Sequence, residues 1–546
     1  MAQGSTKSGN TLAARALLLI TIVILPSAAL DPTQLPKFAV LVVAAGAMAF
    51  SIKWKALWKS KDTINVILAI YLLCLVFTVI NGERSFALQL YGNFSRNTGL
   101  LFHLSLMILF LYLVSQVQKS TIEIILKYLY FVWSFEIFYS LLQIGKLDPL
   151  DWGIDEARIE GTLGNPNFLS AFLGMASVAA LAEVFNVHKS RRLRLFLTIG
   201  ISISLLIVIA SDSIQGLGVF LVGAVVITYL RFIRFTPISL QYLYAIAVCI
   251  AATTAVLGFT QRGPLATLLY QESITFRGDY WRAGLAMVAD RPLNGFGLDT
   301  YQDWYRSYRS AEAFERRGAD FYADSAHNLF IDLAASGGLP LLLSYWAILV
   351  VVFLRAVKYL SSQKEYSPSF TAIFVAWLGS IAQSLISVQQ VALAAWFWAL
   401  TASLVVLSEN DSKSRGSHSN SISIRNFFGP LVGTLIGIGL IIVPVAKELS
   451  FTRAIKAGEP RLMMAAAEFG NTSTHYLNYA ANLFAKSNLE NYWLEAAQKS
   501  LKLNPRDYAA LKLIYLNPLT SDEDKFQTRL KLREIDPLDD MWKVQR

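Results

Sequence analysis

Apolar runs long enough to cross a lipid bilayer recur from Ala16 to Val445, and they limit the fold more than any other feature. A membrane-spanning helix needs about 20 mostly apolar residues. Only 16% of the 546 residues are charged, whereas a soluble domain carries about 25%. The predicted spans cover residues 14–30, 38–52, 63–80, 98–116, 121–144, 167–187, 193–211, 213–231, 240–259, 338–357, 367–386, 391–408 and 427–447. We therefore predict an all-α polytopic membrane protein with about thirteen transmembrane helices.

Basic residues concentrate in alternate loops between these runs, together with the N-terminal segment. They are Lys53, Lys55, Lys59, Lys61, Lys189, Arg191, Arg192, Arg194, Arg231, Arg234, Arg355, Lys358, Lys364, Lys413, Arg415 and Arg425. Short loops rich in lysine and arginine stay in the cytoplasm. The net charge of +10 thus indicates membrane topology rather than nucleic-acid binding. The first run resembles a signal peptide, but many spans follow it, so we expect a retained helix and a cytoplasmic N-terminus.

Four segments then face outward, at residues 81–97, 145–167, 260–337 and from 447 onward. We expect a membrane core at 1–408 that includes the outer loop 260–337, a Ser/Asn-rich cytoplasmic linker at 409–426 and a last span at 427–447. Residues 448–546 form an extracytoplasmic helical domain. Its residues 496–505 resemble a tetratricopeptide helix pair, although an ordinary helical cap remains the alternative. The two cysteines, Cys74 and Cys249, lie in apolar runs, and we expect neither a metal site nor a cofactor.

The outer loop carries eight arginines and no lysine, which suits phosphate oxygens because guanidinium binds them in a planar fork. They are Arg262, Arg277, Arg282, Arg291, Arg306, Arg309, Arg316 and Arg317. The alternative is that most of them form salt bridges, since ten acidic residues share the loop. Within the loop we expect a short helix at 278–290. A second helix puts four aromatic residues at 301, 304, 305 and 308 on one face. That face lies against the bilayer or roofs a cavity.

His327 is the candidate base in this loop. Asp324 or Ser325 is the expected N-cap of a helix ending at Ser336, which would place His327 in its first turn. The positive end of a helix dipole disfavours a protonated imidazole, and a general base must be neutral. A structural histidine is the alternative. His103 and His475 are the other histidines expected on the outer side.

Glu136 is a carboxylate inside the fifth predicted span, and such residues are functional candidates by default. Pairing with a neighbouring helix is the alternative. Asn165 and Asn167 flank Pro166 at the start of span 6, where the amides can bind sugar hydroxyls or cap the helix. Asp212 lies in the outer turn between spans 7 and 8, and Gln389 and Gln390 lie between spans 11 and 12.

Four ordered stretches resemble the O-antigen ligase and polymerase superfamily, which also includes bacterial pilin oligosaccharyltransferases. They are residues 91–100 (YGNFSRNTGL), 161–167 (GTLGNPN), 277–281 (RGDYW) continuing to 291–297 (RPLNGFG), and His327-Asn328 followed by Gly337-Gly338. The resemblance covers about residues 12–408 and excludes the tail. It implies a metal-independent glycosyltransferase at the outer face of the bacterial cytoplasmic membrane, using a glycan on a polyprenyl pyrophosphate.

By this resemblance His327 is the catalytic base and Arg277 holds the pyrophosphate. The substrate-binding candidates are Arg96, Asn165, Asn167, Arg282, Asn328, Asp324 and Glu136. The family often has an arginine in the turn between spans 7 and 8, where this chain has Asp212. Either Arg96 or another residue replaces it, or the binding mode differs. Direct displacement with a single base predicts inversion at the anomeric carbon.

Three functions stay open at this point. The first is transfer of a lipid-linked glycan to a glycan, lipid or protein acceptor, and the second is a polymerase that extends lipid-linked glycans. The third is a flippase or transporter, against which the chain shows no matched repeats with broken helices. Beyond membrane lipids, a protein partner at the C-terminal domain is expected, and no nucleic acid.

Overall fold

A computed structural model describes residues 3–59, 62–116, 122–150, 152, 158–409 and 425–542, and this part of the chain contains helices and no strand. The all-α prediction is confirmed. The helices are α1 (Gln3–Ile22), α2 (Gln34–Ala49), α3 (Trp54–Lys59), α4 (Thr63–Asn81), α5 (Phe86–Tyr91), α6 (Leu100–Gln116), α7 (Ile122–Ile144), α8 (Pro166–Val184), α9 (Arg191–Ala210), α10 (Gln215–Thr228), α11 (Ile238–Phe259), α12 (Ala266–Leu269), α13 (Glu272–Asp290), α14 (Tyr301–Tyr308), α15 (Ala311–Arg317), α16 (Leu329–Ser362), α17 (Pro368–Ser384), α18 (Val391–Ser408), α19 (Arg425–Ala457), α20 (Pro460–Glu468), α21 (His475–Lys486), α22 (Glu490–Leu503), α23 (Tyr508–Leu516) and α24 (Asp522–Ile535). A π-helical turn over Tyr229–Ile233 extends α10, and short 3-10 turns cover Phe469–Asn471 and Asp540–Trp542.

Each of the thirteen predicted spans coincides with one of these helices. Nine helices in the described ranges are long and apolar enough to cross a membrane, namely α4, α7, α8, α9, α10 with its π turn, α11, α16, α18 and α19. The apolar part of α1, together with α2 and α6, is shorter, and α17 covers the eleventh predicted span. The architecture is that of an α-helical polytopic membrane protein.

Several span boundaries differ from the prediction, among them the end of α19 at Ala457, ten residues past the predicted end at 447. Two of the differences have identifiable reasons. Helix α1 ends at Ile22, eight residues early, because the buried Lys37 Nζ donates to the carbonyls of Thr21 and Val23 and so takes over its last acceptors. Helix α16 begins nine residues before the predicted span. It continues through a kink at Gly337 and Gly338, which joins the loop helix to the membrane helix.

The predicted basic loops meet at one end of the bundle. Arg355 forms an ion pair with Asp62 at 2.5 Å, and Ser369 donates to Glu183 at 2.7 Å. The Arg234 guanidinium binds the carbonyl of Ser361 at 3.3 Å. The loops that carry most of the positive charge are therefore neighbours, as the alternating pattern requires. Which face of the membrane they occupy stays a prediction.

The C-terminal residues from α20 onward pack as consecutive helices, each against the next. Small residues such as Ala480, Ala481, Ala496 and Ala497 are fully buried between them. The described residues from α20 to 542 are thus helical, while a domain bounded at 448–546 and its tetratricopeptide identity stay predictions. Almost all of the expected linker at 409–426 lies outside the described residues.

Candidate functional site

The segment before α16 places His327 outside the helix rather than in its first turn. Asn328 is the N-cap, since its side chain accepts from the amides of Phe330 and Ile331 at 3.0 and 3.2 Å. The predicted cap at Asp324 or Ser325 is wrong. His327 instead has φ of 52°, and its amide donates to Ser325 Oγ at 3.1 Å. This left-handed residue turns the chain sharply, so the imidazole leaves the helix axis.

His327 is surrounded by charged groups from three parts of the chain. Its pKa is lowered from 6.5 to about 4, mainly by burial; the Asp324 carboxylate opposes this shift, and the charges of Arg96 and Arg277 add to it. The ring lies 5.4 Å from that of Tyr280, centroid to centroid. The imidazole is therefore neutral near pH 7, which is the form that accepts a proton.

Arg96 and Asp324 form an ion pair beside His327, with Nε and Nη2 of Arg96 at 2.7 and 2.5 Å from the same Asp324 oxygen. Both residues line a cleft of about 540 Å³ between the outer loop and the membrane helices. His327 and Arg277 are not lining residues of this cleft; His327 lies close enough to Arg96, Asp324 and Arg277 for their charges to act on its pKa. Its other polar lining residues include His103, Asp299, Ser325 and Asp332.

Arg277 is a partly buried loop arginine without an acidic partner among the described residues. Its Nη1 donates to the side chain and the carbonyl of Ser273 at 3.0 and 3.3 Å. Its Nε is buried without a hydrogen-bond partner, and no ion pair of Arg277 is found among the described residues. Burial lowers its pKa. A partly buried guanidinium without a counter-anion is suited to bind an anionic ligand.

Most other loop arginines form salt bridges, as the alternative interpretation expected. Arg282 and Arg316 both bind Asp279, Arg291 binds Glu83, and Arg306 and Arg309 both bind Asp536. Arg282 is 58% exposed at its side chain and already paired. Its assignment to the substrate site stays a prediction with no contact to His327 behind it.

Asn165, Asn167 and Glu136 make contacts within the bundle. The Asn165 side chain accepts from the Asn167 amide at 2.8 Å and caps α8, while Asn167 Oδ1 accepts from Ser213 Oγ at 2.8 Å. Glu136 is fully buried and accepts from both the amide and the hydroxyl of Thr162. These bonds fix the segment before α8, and the substrate-binding roles of the three residues stay predictions.

Segments in or directly beside three of the four stretches quoted above are joined by hydrogen bonds. The amides of Phe296 and Gly297 donate to the carbonyls of Ala335 and Ser336 at 2.9 and 2.8 Å, beside the kink of α16. Asp299, just after this turn, accepts from the Asn93 amide at 2.6 Å. Their joint occurrence therefore has a physical cause, because each stretch holds the next in place around the cleft.

Sequence reasoning missed three polar groups of the cleft. His103 was named only as an outer-side histidine; its Nδ1 lies 3.0 Å from the hydroxyl of the buried Tyr71. Asp299 and Asp332 were not singled out among the ten acidic loop residues. Asp332 follows Asn328 by one helical turn, and it accepts from the Ala326 amide at 2.7 Å. The spacing of one helical turn between Asn328 and Asp332 was the sequence feature that could have indicated Asp332.

A second cavity, of about 550 Å³, adjoins the cleft and extends between α8, α16, α17 and α18. The two share the lining residues Leu329, Val388 and Gln389, and the second is lined mainly by apolar side chains such as Met175, Tyr345 and Phe397. The aromatic face of α14, predicted to lie against the bilayer or to roof a cavity, packs mainly inside the outer loop. Trp304 and Tyr305 are buried in the aromatic core of the loop, and Tyr301 reaches the cleft.

A comparison with known protein families finds a match in the region that contains Arg277 and His327. Residues 199–346 match the family model described as O-antigen ligase, from α9 into α16, with Arg277 and His327 inside the match. No curated protein matches the chain. Members of this family are membrane glycosyltransferase-like ligases or polymerases, and the apolar helices fit a multi-pass protein of the bacterial inner membrane. Residues 199–346 are thus similar to the O-antigen ligase family, which supports the resemblance seen in the sequence, while the C-terminal helices lie outside the match.

Proposed function

We propose that this protein transfers a glycan from a polyprenyl-pyrophosphate donor to an acceptor hydroxyl at the outer face of the cytoplasmic membrane. The observation that carries this proposal is the meeting of His327, Arg277 and Arg96 beside one cleft. A neutral base and two guanidinium groups are the set that displacement of a pyrophosphate requires. The reaction inverts the anomeric carbon, and the arginines supply the positive charge without a metal.

The two adjoining cavities, one with a charged lining and one mainly apolar, match the two ends of an amphiphilic donor in chemical character. The polar cleft beside Arg96 would take the pyrophosphate, and the apolar cavity between α8 and α16–α18 would take the first isoprene units. Arg277, with its unpaired Nε, would bind a phosphate oxygen. Arg96 would bind the pyrophosphate while it keeps its ion pair with Asp324, or it would give up that ion pair to bind the pyrophosphate. Charge-assisted, bidentate contacts of this kind are the strongest hydrogen bonds in proteins.

In the chemical step, His327 accepts the proton of the acceptor hydroxyl. The hydroxyl oxygen attacks the anomeric carbon, the carbon–oxygen bond to the pyrophosphate breaks, and the polyprenyl pyrophosphate leaves with the electron pair. Arg277 stabilises the charge that grows on the leaving oxygen. Donor binding also strengthens the base, since the pyrophosphate offsets the two arginines that lower the pKa of His327.

Reconstitution in lipid vesicles with a polyprenyl-pyrophosphate glycan and an acceptor tests the proposal. We expect His327→Ala to lower kcat by at least about 100-fold and Arg277→Ala by a similar factor. Matched controls are His188→Ala, an exposed histidine at the opposite end, and Arg262→Ala, an exposed loop arginine. Both should keep full turnover. Full turnover in the two site variants would refute the site.

The product distinguishes the remaining functions. Longer lipid-linked chains formed from donor alone would identify a polymerase, and transfer to a separate acceptor would identify a ligase. A transporter would move the lipid-linked glycan across the vesicle membrane and release no polyprenyl pyrophosphate. Release of that product therefore separates enzyme from transporter before any acceptor is identified.

A further inference from the structure

Two buried arginines, Arg306 in α14 and Arg309 directly after it, hold the turn that leads to the candidate site. The Arg306 guanidinium donates to the carbonyls of Ala319 and Asp320, the latter at 3.0 Å. The Arg309 guanidinium donates to the carbonyls of Gly318 and Phe321 at 3.2 and 3.1 Å. Four consecutive carbonyls are thus fixed, and the last of them precedes Asp324 by three residues.

Both arginines take their counter-charge from the C-terminal domain. Oδ2 of Asp536 accepts from Arg306 at 3.0 Å and from Arg309 at 2.6 Å. Asp536 has 0% exposure and follows the last residue of α24. The Ser307 hydroxyl also donates to the Ile535 carbonyl at 2.9 Å, so the negative end of α24 points at the arginines.

These contacts form a continuous path from the C-terminal domain to His327. Asp536 orients Arg306 and Arg309, the arginines hold residues 318–321, and Asp324 follows with its ion pair to Arg96. Asp324 in turn acts on the charge of His327. Without the carboxylate, two neighbouring buried guanidinium groups would repel each other and lose their fixed orientation.

We propose that Asp536 of the C-terminal domain is a positioning residue for the His327 site, because it orients the two arginines that grip residues 318–321. The C-terminal domain is then an integral part of the catalytic loop rather than an appended docking module. This inference rests on the proposed function where it predicts turnover, and on the contacts of Asp536 alone where it predicts the structure of the loop.

The test compares Asp536→Asn in the full-length protein with Glu534→Gln, an exposed neighbour on α24 that pairs with Arg506 inside the tail. We expect Asp536→Asn to lower kcat at least tenfold with little change in the KM for donor. Backbone amides of residues 318–328 should exchange with solvent at least tenfold faster. Asp536→Glu should restore part of both properties, and Glu534→Gln should match the wild type.

Unchanged turnover and exchange in Asp536→Asn would overturn the proposal, and so would lost turnover with unchanged exchange at 318–328. If Asp536→Asn does not fold, Arg309→Lys gives the same test. Lysine keeps the positive charge opposite Asp536 but loses the guanidinium contacts to the carbonyls of Gly318 and Phe321. The exchange measurement needs no donor. A wild-type protein without transfer activity would therefore refute the proposed function while leaving this inference to the exchange result.

Discussion

The charge state of His327 depends on groups contributed by separate parts of the chain. Burial, Arg96 and Arg277 favour the neutral imidazole, whereas Asp324 favours the protonated one. The residue that follows, Asn328, caps α16 and leaves His327 outside the helix. A buried neutral imidazole between two cations is available as a base at neutral pH, and it becomes protonated only in strong acid.

The pH dependence of the free enzyme follows from this arrangement. Because the folded pKa of His327 is lowered to about 4, the neutral base persists above that value. We expect kcat/KM to stay level as pH falls from 7 to 5 and to decline on approaching pH 4. Asp324→Asn removes the group that raises this pKa, so its decline should begin at lower pH.

Rates measured at fixed ionic strength test this expectation, since kcat/KM reports the groups of the free enzyme. Asp320→Asn is the matched control, because the Asp320 carboxylate is exposed and paired with Lys512. It should keep the wild-type profile. A decline centred near pH 6.5 in the wild type would show that the titrating base is a solvated histidine, contrary to the structure.

The sequence predicted part of this site at the level of residues. Arg96, Arg277, Asp324 and His327 were predicted and lie together, because an arginine-rich loop and a family resemblance both indicated them. Asp299 and Asp332 were missed. Ten acidic residues share the loop, and only the fold separates carboxylates that neutralise arginines from those that face the cleft. Residues 324, 325 and 328 are likewise all able to cap α16, and the local sequence does not decide which of them does.

At the level of elements, a glycine kink lets α16 serve both the loop and the membrane. Gly338 has φ of 69° and ψ of −175°, a region that almost only glycine occupies. A Cβ there would lie 2.5 Å from the Leu293 carbonyl carbon. The amide of Leu339 meanwhile donates to the Pro292 carbonyl at 2.7 Å. The kink and the 292–297 turn thus require each other.

Gly338→Ala should therefore destabilise the loop by about 1–3 kcal/mol from backbone strain alone. The collision with the Leu293 backbone adds to this. Gly278→Ala is the matched control, since Gly278 lies inside α13 with nothing within 4 Å of its added Cβ. It should be neutral or stabilise by about 0.5–1 kcal/mol. Thermal unfolding in detergent measures both, and equal midpoints for the two variants would contradict the role of the kink.

Spans were predictable because hydropathy is a local property, and every predicted span has its helix. The ends of the helices depended on residues that contact them from elsewhere in the chain. Helix α1 ends where Lys37 binds its carbonyls, and α16 continues because a distant turn supports its kink. Neither partner can be identified from the apolar pattern, which explains why element existence was predicted better than element ends.

At the level of the whole molecule, the tail and the outer loop form one body on the side of the candidate site. Arg506 of the tail stacks on Trp304 with its guanidinium carbon 3.6 Å from the ring centroid, and Arg306 stacks on Tyr508 at 3.9 Å. Such pairs join residues about 200 positions apart in sequence, so periodicity could predict an amphipathic α14 but not what covers it. The C-terminal domain packs on α14, while Tyr301 of the predicted aromatic face lines the cleft.

Helix α19 carries this domain, and its packing against α2 depends on glycines. A Cβ at Gly433 would collide with the Gly46 carbonyl oxygen, and one at Gly46 with that of Gly433. Lipid provides no hydrophobic force between helices, so their association requires such close backbone approach. Gly439 lies on the same helix with nothing within 4 Å of its added Cβ.

We therefore expect Gly433→Ala to separate α19 from α2 at a cost of about 1–3 kcal/mol, and Gly439→Ala to have no such effect. Because the tail holds the turn before Asp324, a displaced α19 should also lower glycan transfer and expose the tail to protease. Thermal unfolding, limited proteolysis and turnover in the same vesicles measure these effects together. A Gly433→Ala protein with a lower unfolding midpoint but full transfer would show that the tail can stay docked on the loop without its anchoring helix.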